Sequence, residues 1–196
     1  MRDPLTRATP LTRMNRWGTT LDLVRRPSHF CATAPVPVAS PDDVLSWLCL
    51  CECFAGGFSS PLMVAGRLTG TLFRVHLALL PGMPGEGVLA LAFTSPAASE
   101  PAGPPALCRA LADIVAADGV TAPRWHGAAL RLRTRLATTD ALPRRSPWHR
   151  SPYDAQLADP LAWAARNPPD PGSYRPPLAA LARELPEYHP AAEGGR

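Results

Sequence analysis

The chain has no lysine: all 20 of its basic residues are arginine among 196 residues. A GC-rich genome accounts for this most simply, because such genomes favour Arg, Ala, Pro and Gly codons. Long apolar runs are also missing. None approaches the ~18 consecutive apolar residues of a membrane span, so no membrane span is expected. The N-terminal arginines are not followed by a continuous apolar stretch, which argues against a signal peptide. Five cysteines are an odd count, and three of them crowd at Cys49, Cys51 and Cys53. A disulfide framework needs dispersed pairs in a secreted chain, so the expected setting is reducing and intracellular.

The motifs of several enzyme classes are absent as well. There is no GxSxG elbow, no P-loop, no GxGxxG and no HExxH. Core acids are sparse: Glu52, Glu86, Asp113 and Asp118 are scattered along the chain with no evident pair for acid–base work. The histidines are His29, His76, His126, His149 and His189, and each reads as a surface or loop residue. The CxCxC spacing lies inside a helical pattern, whereas zinc takes about four ligands, usually from CxxC-type knuckles. Cys49 and Cys53 can share a helix face with Cys51 turned away, and buried apolar thiols are the expected reading. No catalytic residue, metal site or cofactor is therefore assigned.

Proline is abundant, at 25 residues against an average near ~5%. Its distribution marks the organisation, because residues 42–80 hold Pro61 alone. The chain divides into a Pro/Arg-rich N-terminal arm (1–39), a core domain (40–137) and a Pro-rich C-terminal arm (138–196). The net charge of +4 is uneven. Six arginines stand in the first 26 residues against Asp3 and Asp22, and seven more in residues 124–150 against Asp140 alone. Beyond residue 150 acids outnumber bases, and such asymmetry marks a partner surface for an acidic protein or nucleic acid.

Within the core, Ser40-Pro41-Asp42-Asp43 is a helix start: a hydroxyl cap, a proline at the first position, and acids at the positive end of the dipole. Val44, Trp47, Leu48, Cys51 and Phe54 follow at helical spacing, and Gly56-Gly57 stops the helix. Residues 62–68 read as a strand, with Thr69-Gly70 as a turn. Residues 71–80 alternate apolar and polar as a half-buried strand does, and residues 88–93 form the next strand after the Pro81-Gly82-Met83-Pro84-Gly85 turn. A second helix carries Leu107, Cys108, Leu111, Ile114 and Val115 and ends near Gly119. Residues 129–137 read as a fourth strand, with Leu130, Leu132, Thr134 and Leu136 on one face. The expectation is an α+β fold: a mainly antiparallel sheet of about four strands with two helices on one face. In the arms, residues 19–24 read as an edge strand and the Pro35/Pro37 stretch as extended. Short helices are expected from Pro160 to Arg166 and from Pro177 to Leu185.

If residues 129–137 form a strand, Arg131, Arg133 and Arg135 lie ~7 Å apart along one face and can meet a row of phosphates or carboxylates. Arg144 and Arg145 extend that patch. Ser146-Pro147 and Ser151-Pro152, beside arginines, are candidate phosphorylation steps. Few aromatics stand near, so an RRM-like stacking surface is not supported.

Several segments together carry a resemblance. They are Thr9-Pro10-Leu11-Thr12, Phe30-Cys31-Ala32-Thr33, Thr69-Gly70-Thr71 before an apolar strand, Leu111-Ala112-Asp113-Ile114-Val115, and Leu130-Arg131-Leu132-Arg133. In this order and at these distances the chain resembles the small tegument and nuclear-matrix-associated proteins encoded near the end of the unique long region of alphaherpesviruses. The resemblance covers about two thirds of the chain by order and spacing. The C-terminus departs from it, since family members end in a basic tail and this chain ends Ala-Ala-Glu-Gly-Gly-Arg. The resemblance implies a non-enzymatic virion tegument component that also resides in the host nucleus, at the nuclear matrix, and has viral or host protein partners. The competing expectation is an Arg-rich nucleic-acid-binding module.

Overall fold

The computed structural model describes residues 11–14, 20–23, 29–68, 74–94, 103–141 and 159–185. The Thr69-Gly70 turn, Arg144, Arg145, His149, His189 and both Ser-Pro steps lie outside the described residues. The order of elements is β1 (Leu11–Met14), β2 (Thr20–Leu23), β3 (His29–Pro37), α1 (Pro41–Ala55), α2 (Pro61–Leu68), β4 (Arg74–Pro81), β5 (Glu86–Thr94), α3 (Gly103–Ala116), α4 (Ala122–Ala141), α5 (Pro160–Ala164) and α6 (Pro171–Glu184). The α+β class holds.

The sheet is smaller than expected and differently composed. It has three antiparallel strands in the order β3-β5-β4, and β1 pairs with β2 as a separate ribbon. The β4–β5 hairpin is the one read from alternation. The third strand is the extended Pro35/Pro37 stretch, which pairs Ala34 with Leu89 and Val36 with Gly87. Both segments expected as further strands are helices. Residues 62–68 form α2, and residues 129–137 lie within α4.

Ladder parity explains how prolines enter a sheet. The bond from Val38 N–H to the Gly85 carbonyl (2.9 Å) extends the β3–β5 register, so even-numbered β3 residues are the hydrogen-bonded ones. Pro35 and Pro37 then turn their nitrogens away from β5, where no N–H is required. The outward Pro37 carbonyl accepts from Trp47 Nε1 at 3.3 Å. In β4, the bond from Gly82 N–H to the Glu86 carbonyl sets the same alternation, so Pro81 also faces outward.

One face of the sheet carries Ala32, Ala34, Val36, Val75, Leu77, Leu79, Leu89, Leu91 and Phe93, all buried. On this face α1 packs over β4 and α6 over β3, α4 packs on α1, α3 on α6 and α2, and α5 on α4. Gly87 relieves crowding at this crossing: a Cβ there would stand 2.8 Å from Val38 Cγ2 and 2.9 Å from Leu79 Cδ1.

The Ser40 start of α1 is a full capping box. Asp43 N–H donates to Ser40 Oγ (3.2 Å) while Asp43 Oδ2 accepts from Ser40 N–H (2.9 Å). The helix is not amphipathic in the ordinary sense, because every residue from Trp47 to Phe54 is buried. It is surrounded by sheet and helices, the setting of a helix apolar all round.

The buried cluster reaches beyond residues 40–137 on both sides, through β3 and through Trp163, Tyr174, Leu178 and Leu181. Helix α6 begins earlier than Pro177, because Asp170 caps it with a bond from Gly172 N–H (3.0 Å). Pro176 and Pro177 sit inside it; the carbonyls they leave without a helical donor belong to Gly172 and Ser173, which are exposed to water.

Candidate functional site

The arginines singled out by the sequence lie on a helix, which changes what they can do. Four residues make about one turn, so Arg131 and Arg135 share a face of α4, and Arg133 points away from it. Trp125, Ala128, Ala129 and Leu132 form the buried stripe, and Leu130 is exposed.

The shared face of Arg131 and Arg135 meets Glu52 of α1. Arg135 Nη1 stands 2.6 Å from Glu52 Oε1, and Arg131 Nε stands 3.6 Å from Oε2. Arg131 Nη2 also donates to the Glu52 backbone carbonyl at 2.9 Å. The Glu52 side chain is only 8% exposed. A carboxylate so deep in an apolar helix needs paired charge to offset its lost hydration, and two guanidiniums from one helix face supply it. Gly56 keeps the space open, since a Cβ there would collide with the Glu52 carboxylate. Arg133 instead approaches Asp159, the α5 cap, at 3.9 Å in an exposed pair. The three guanidiniums therefore form no anion-matching row; they fasten α4 to α1 and to the start of α5.

Tryptophans make the same joints from the apolar side. Trp125 Nε1 donates to the carbonyls of Ala164 (3.1 Å) and Asn167 (3.0 Å). Trp163 Nε1 donates to Asp42 Oδ1 (3.0 Å), and the two indoles lie 6.1 Å apart. Arg175 donates to the Ala117 carbonyl, holding α6 against the end of α3.

Cys49, Cys51 and Cys53 are free and buried. Burial chiefly pushes their thiols up to about 12 from an ordinary 9.0; Glu52 adds to this, and Arg135 or Arg131 opposes it. Such thiols stay protonated at neutral pH and are poor nucleophiles and poor metal ligands. Among the described residues no group of three or more His, Cys, Asp or Glu side chains converges as a metal site would require. His76 and His126 are exposed, on β4 and α4.

The surface feature that sequence reading missed is an open groove of about 690 Å³ between α2 and α3, lined also by Arg124 of α4. Val64, Ala65, Leu68, Ala110 and Ile114 give it an apolar lining, to which Arg109 and Asp113 add charge. Leu68 is 83% exposed, and Phe58, in the turn before α2, is 79% exposed. The Arg67 guanidinium lies 5.3 Å over the Phe58 ring. The signal was obscured because residues 62–68 read as a strand, which hid the pairing of α2 with α3.

Compared with known proteins, the chain matches no family model and no curated protein.

Proposed function

We propose that the chain is a non-enzymatic accessory protein of an alphaherpesvirus, acting by protein–protein contacts in the virion tegument and at the nuclear matrix of the infected cell. The setting is supported by the ordered segments from Thr9-Pro10 to Leu130-Arg131-Leu132-Arg133 that resemble that family. The mode of action is carried by one observation: Leu68, which lines the α2–α3 groove, stands almost fully exposed, as does Phe58 in the turn before α2. Apolar surface left exposed at a groove is a feature of interaction sites.

Fractionation of infected cells and purified virions tests the setting. The protein is expected in virions and in nuclear-matrix fractions, and its absence from both overturns the reading. The variants Phe58→Asp and Leu68→Asp test the contact. Each is expected to fold with an unchanged melting midpoint and to lower incorporation into virions several-fold. Full incorporation of both folded variants would remove the groove from the proposal.

A further inference from the structure

The two outer strands of the sheet present unlike edges. On β3 the outward positions include Pro35 and Pro37, which offer no N–H and obstruct a further strand. On β4 the outward positions are Val75, Leu77 and Leu79, with Pro81 only at the strand's end. By ladder parity their N–H and C=O groups point away from β5. Among the described residues no hydrogen bond occupies the outward groups of Leu77 or Leu79.

A cavity of about 120 Å³ is lined by four consecutive β4 residues, 76–79, together with Leu48, Ala55 and Arg135. Successive side chains of a strand point to opposite faces. The rest of its lining is α1 and Arg135, so the cavity lies where α1 borders β4.

We propose that the β4 edge pairs antiparallel with the β4 edge of a second copy of this chain, joining two three-stranded sheets into one of six strands. The edge is self-complementary about Leu77. A two-fold axis there sets Leu77 opposite its own copy and Val75 opposite Leu79 as hydrogen-bonded pairs, with His76 opposite Ala78 between them. Apolar residues meet apolar residues, and no charge faces its like. Pairing through β4 about a two-fold axis closes at two copies, and Pro35 and Pro37 obstruct further strands along part of each outer β3 edge. This inference is independent of the viral setting and of the α2–α3 groove.

Sedimentation of the purified full chain is the test. The expected mass is twice the 20.9 kDa of one chain. Leu77→Pro removes an outward N–H without touching the β4–β5 ladder, and is expected to halve the mass. Leu77→Ala, which trims the same side chain and keeps the N–H, is expected to remain a dimer. Amide exchange on the wild type gives an answer even if Leu77→Pro fails to fold. Raising the protein concentration is expected to slow exchange at Leu77 and Leu79 about tenfold, with Ala78 unaffected. A wild-type chain that sediments as a monomer at every concentration overturns the proposal. So does a folded Leu77→Pro variant that stays dimeric, or exchange at Leu77 and Leu79 that ignores concentration.

Discussion

Arg135 Nη1 lies 2.6 Å from Oε1 of Glu52, joining α4 to a carboxylate buried in α1. Glu52 is the sole charged residue in the buried run of α1, and its neighbours there are thiols and hydrocarbon. The pair thus fixes the rotation of α4 on α1: turning α4 by one residue would withdraw both guanidiniums and leave the carboxylate facing apolar side chains. Arg131 and Arg135, which read from sequence as part of a surface for anions, are here partners of an internal carboxylate.

Removing the carboxylate should be costly in proportion to how far the guanidiniums are desolvated. Breaking a fully buried pair costs ~3–5 kcal/mol, but the Arg131 and Arg135 side chains are 40% and 39% exposed, and solvent screening reduces the figure. Glu52→Ala is expected to lower stability by about 2 kcal/mol, and Glu52→Gln, which keeps shape and hydrogen bonding, by less. Urea denaturation midpoints read both. An Ala variant as stable as the wild type would mean that the ion pairs do not hold α4.

The helical placement of the arginines makes neighbouring substitutions unequal. Arg135→Ser strips Glu52 of its closest partner and should cost ~1–2 kcal/mol. Arg133→Ser loses only the exposed 3.9 Å contact to Asp159 and should stay within ~0.5 kcal/mol of wild type. Binding of a DNA or RNA oligonucleotide should be insensitive to Arg131 and Arg135, with no loss of salt slope on replacing them. A salt slope that falls equally for all three arginines would restore the anion-row reading.

The buried thiols predict an alkaline limit to stability. Cys49, Cys51 and Cys53 are raised to about 12 in the fold against an ordinary 9.0. A raised folded value means that the unfolded chain releases these protons first. The stability they support is therefore fully present below pH ~9 and is lost as pH rises toward the folded value. Melting midpoints should fall steadily above pH ~9. At neutral pH the native thiols of residues 49–53 should resist a disulfide reagent that labels Cys108, which is only partly buried. Rapid labelling of Cys51 in folded protein would contradict this.

How much of this was legible follows from window length. The α1 start was readable because its cap chemistry is local, and the β4–β5 hairpin because alternation and turn residues agree. The arginine segment misled because Leu130, Leu132 and Leu136 alternate with Arg over so short a stretch that periods of 2 and 3.6 are hard to separate. The deciding residues lie upstream: Trp125, Ala128, Ala129 and Leu132 are spaced for a helix face, and Ala, Leu and Arg are all strong helix formers. The same holds for residues 62–68, where Val64 is the one β-branched residue and Pro61 suits a first helical turn. The Pro35/Pro37 stretch of β3 reads as extended but not as paired, since its partner lies about fifty residues away in β5. The Glu52 node was not legible at all. Nothing local marks Glu52 as buried, and its partners stand about eighty residues further along the chain.

Gly87 offers a test of packing at the sheet's centre that involves no charge. A Cβ at this position would approach Val38 Cγ2 and Leu79 Cδ1 to under 3.0 Å from two sides, on strands or turns flanking β5. The obstructing atoms are methyl ends, so the sheet can yield, but Val38 and Leu79 are buried and have little room to rotate. Gly87→Ala is therefore expected to cost ~1–3 kcal/mol as overpacking, with the fold retained by far-UV circular dichroism. Val38→Ala alone should cost about 1–2 kcal/mol as lost burial. In the double variant the new Cβ takes up part of the vacated space, so the combined loss should fall short of the sum by at least ~0.5 kcal/mol. Strictly additive losses would show that Gly87 is required for some reason other than the closeness of Val38, and the account of this crossing would have to be replaced.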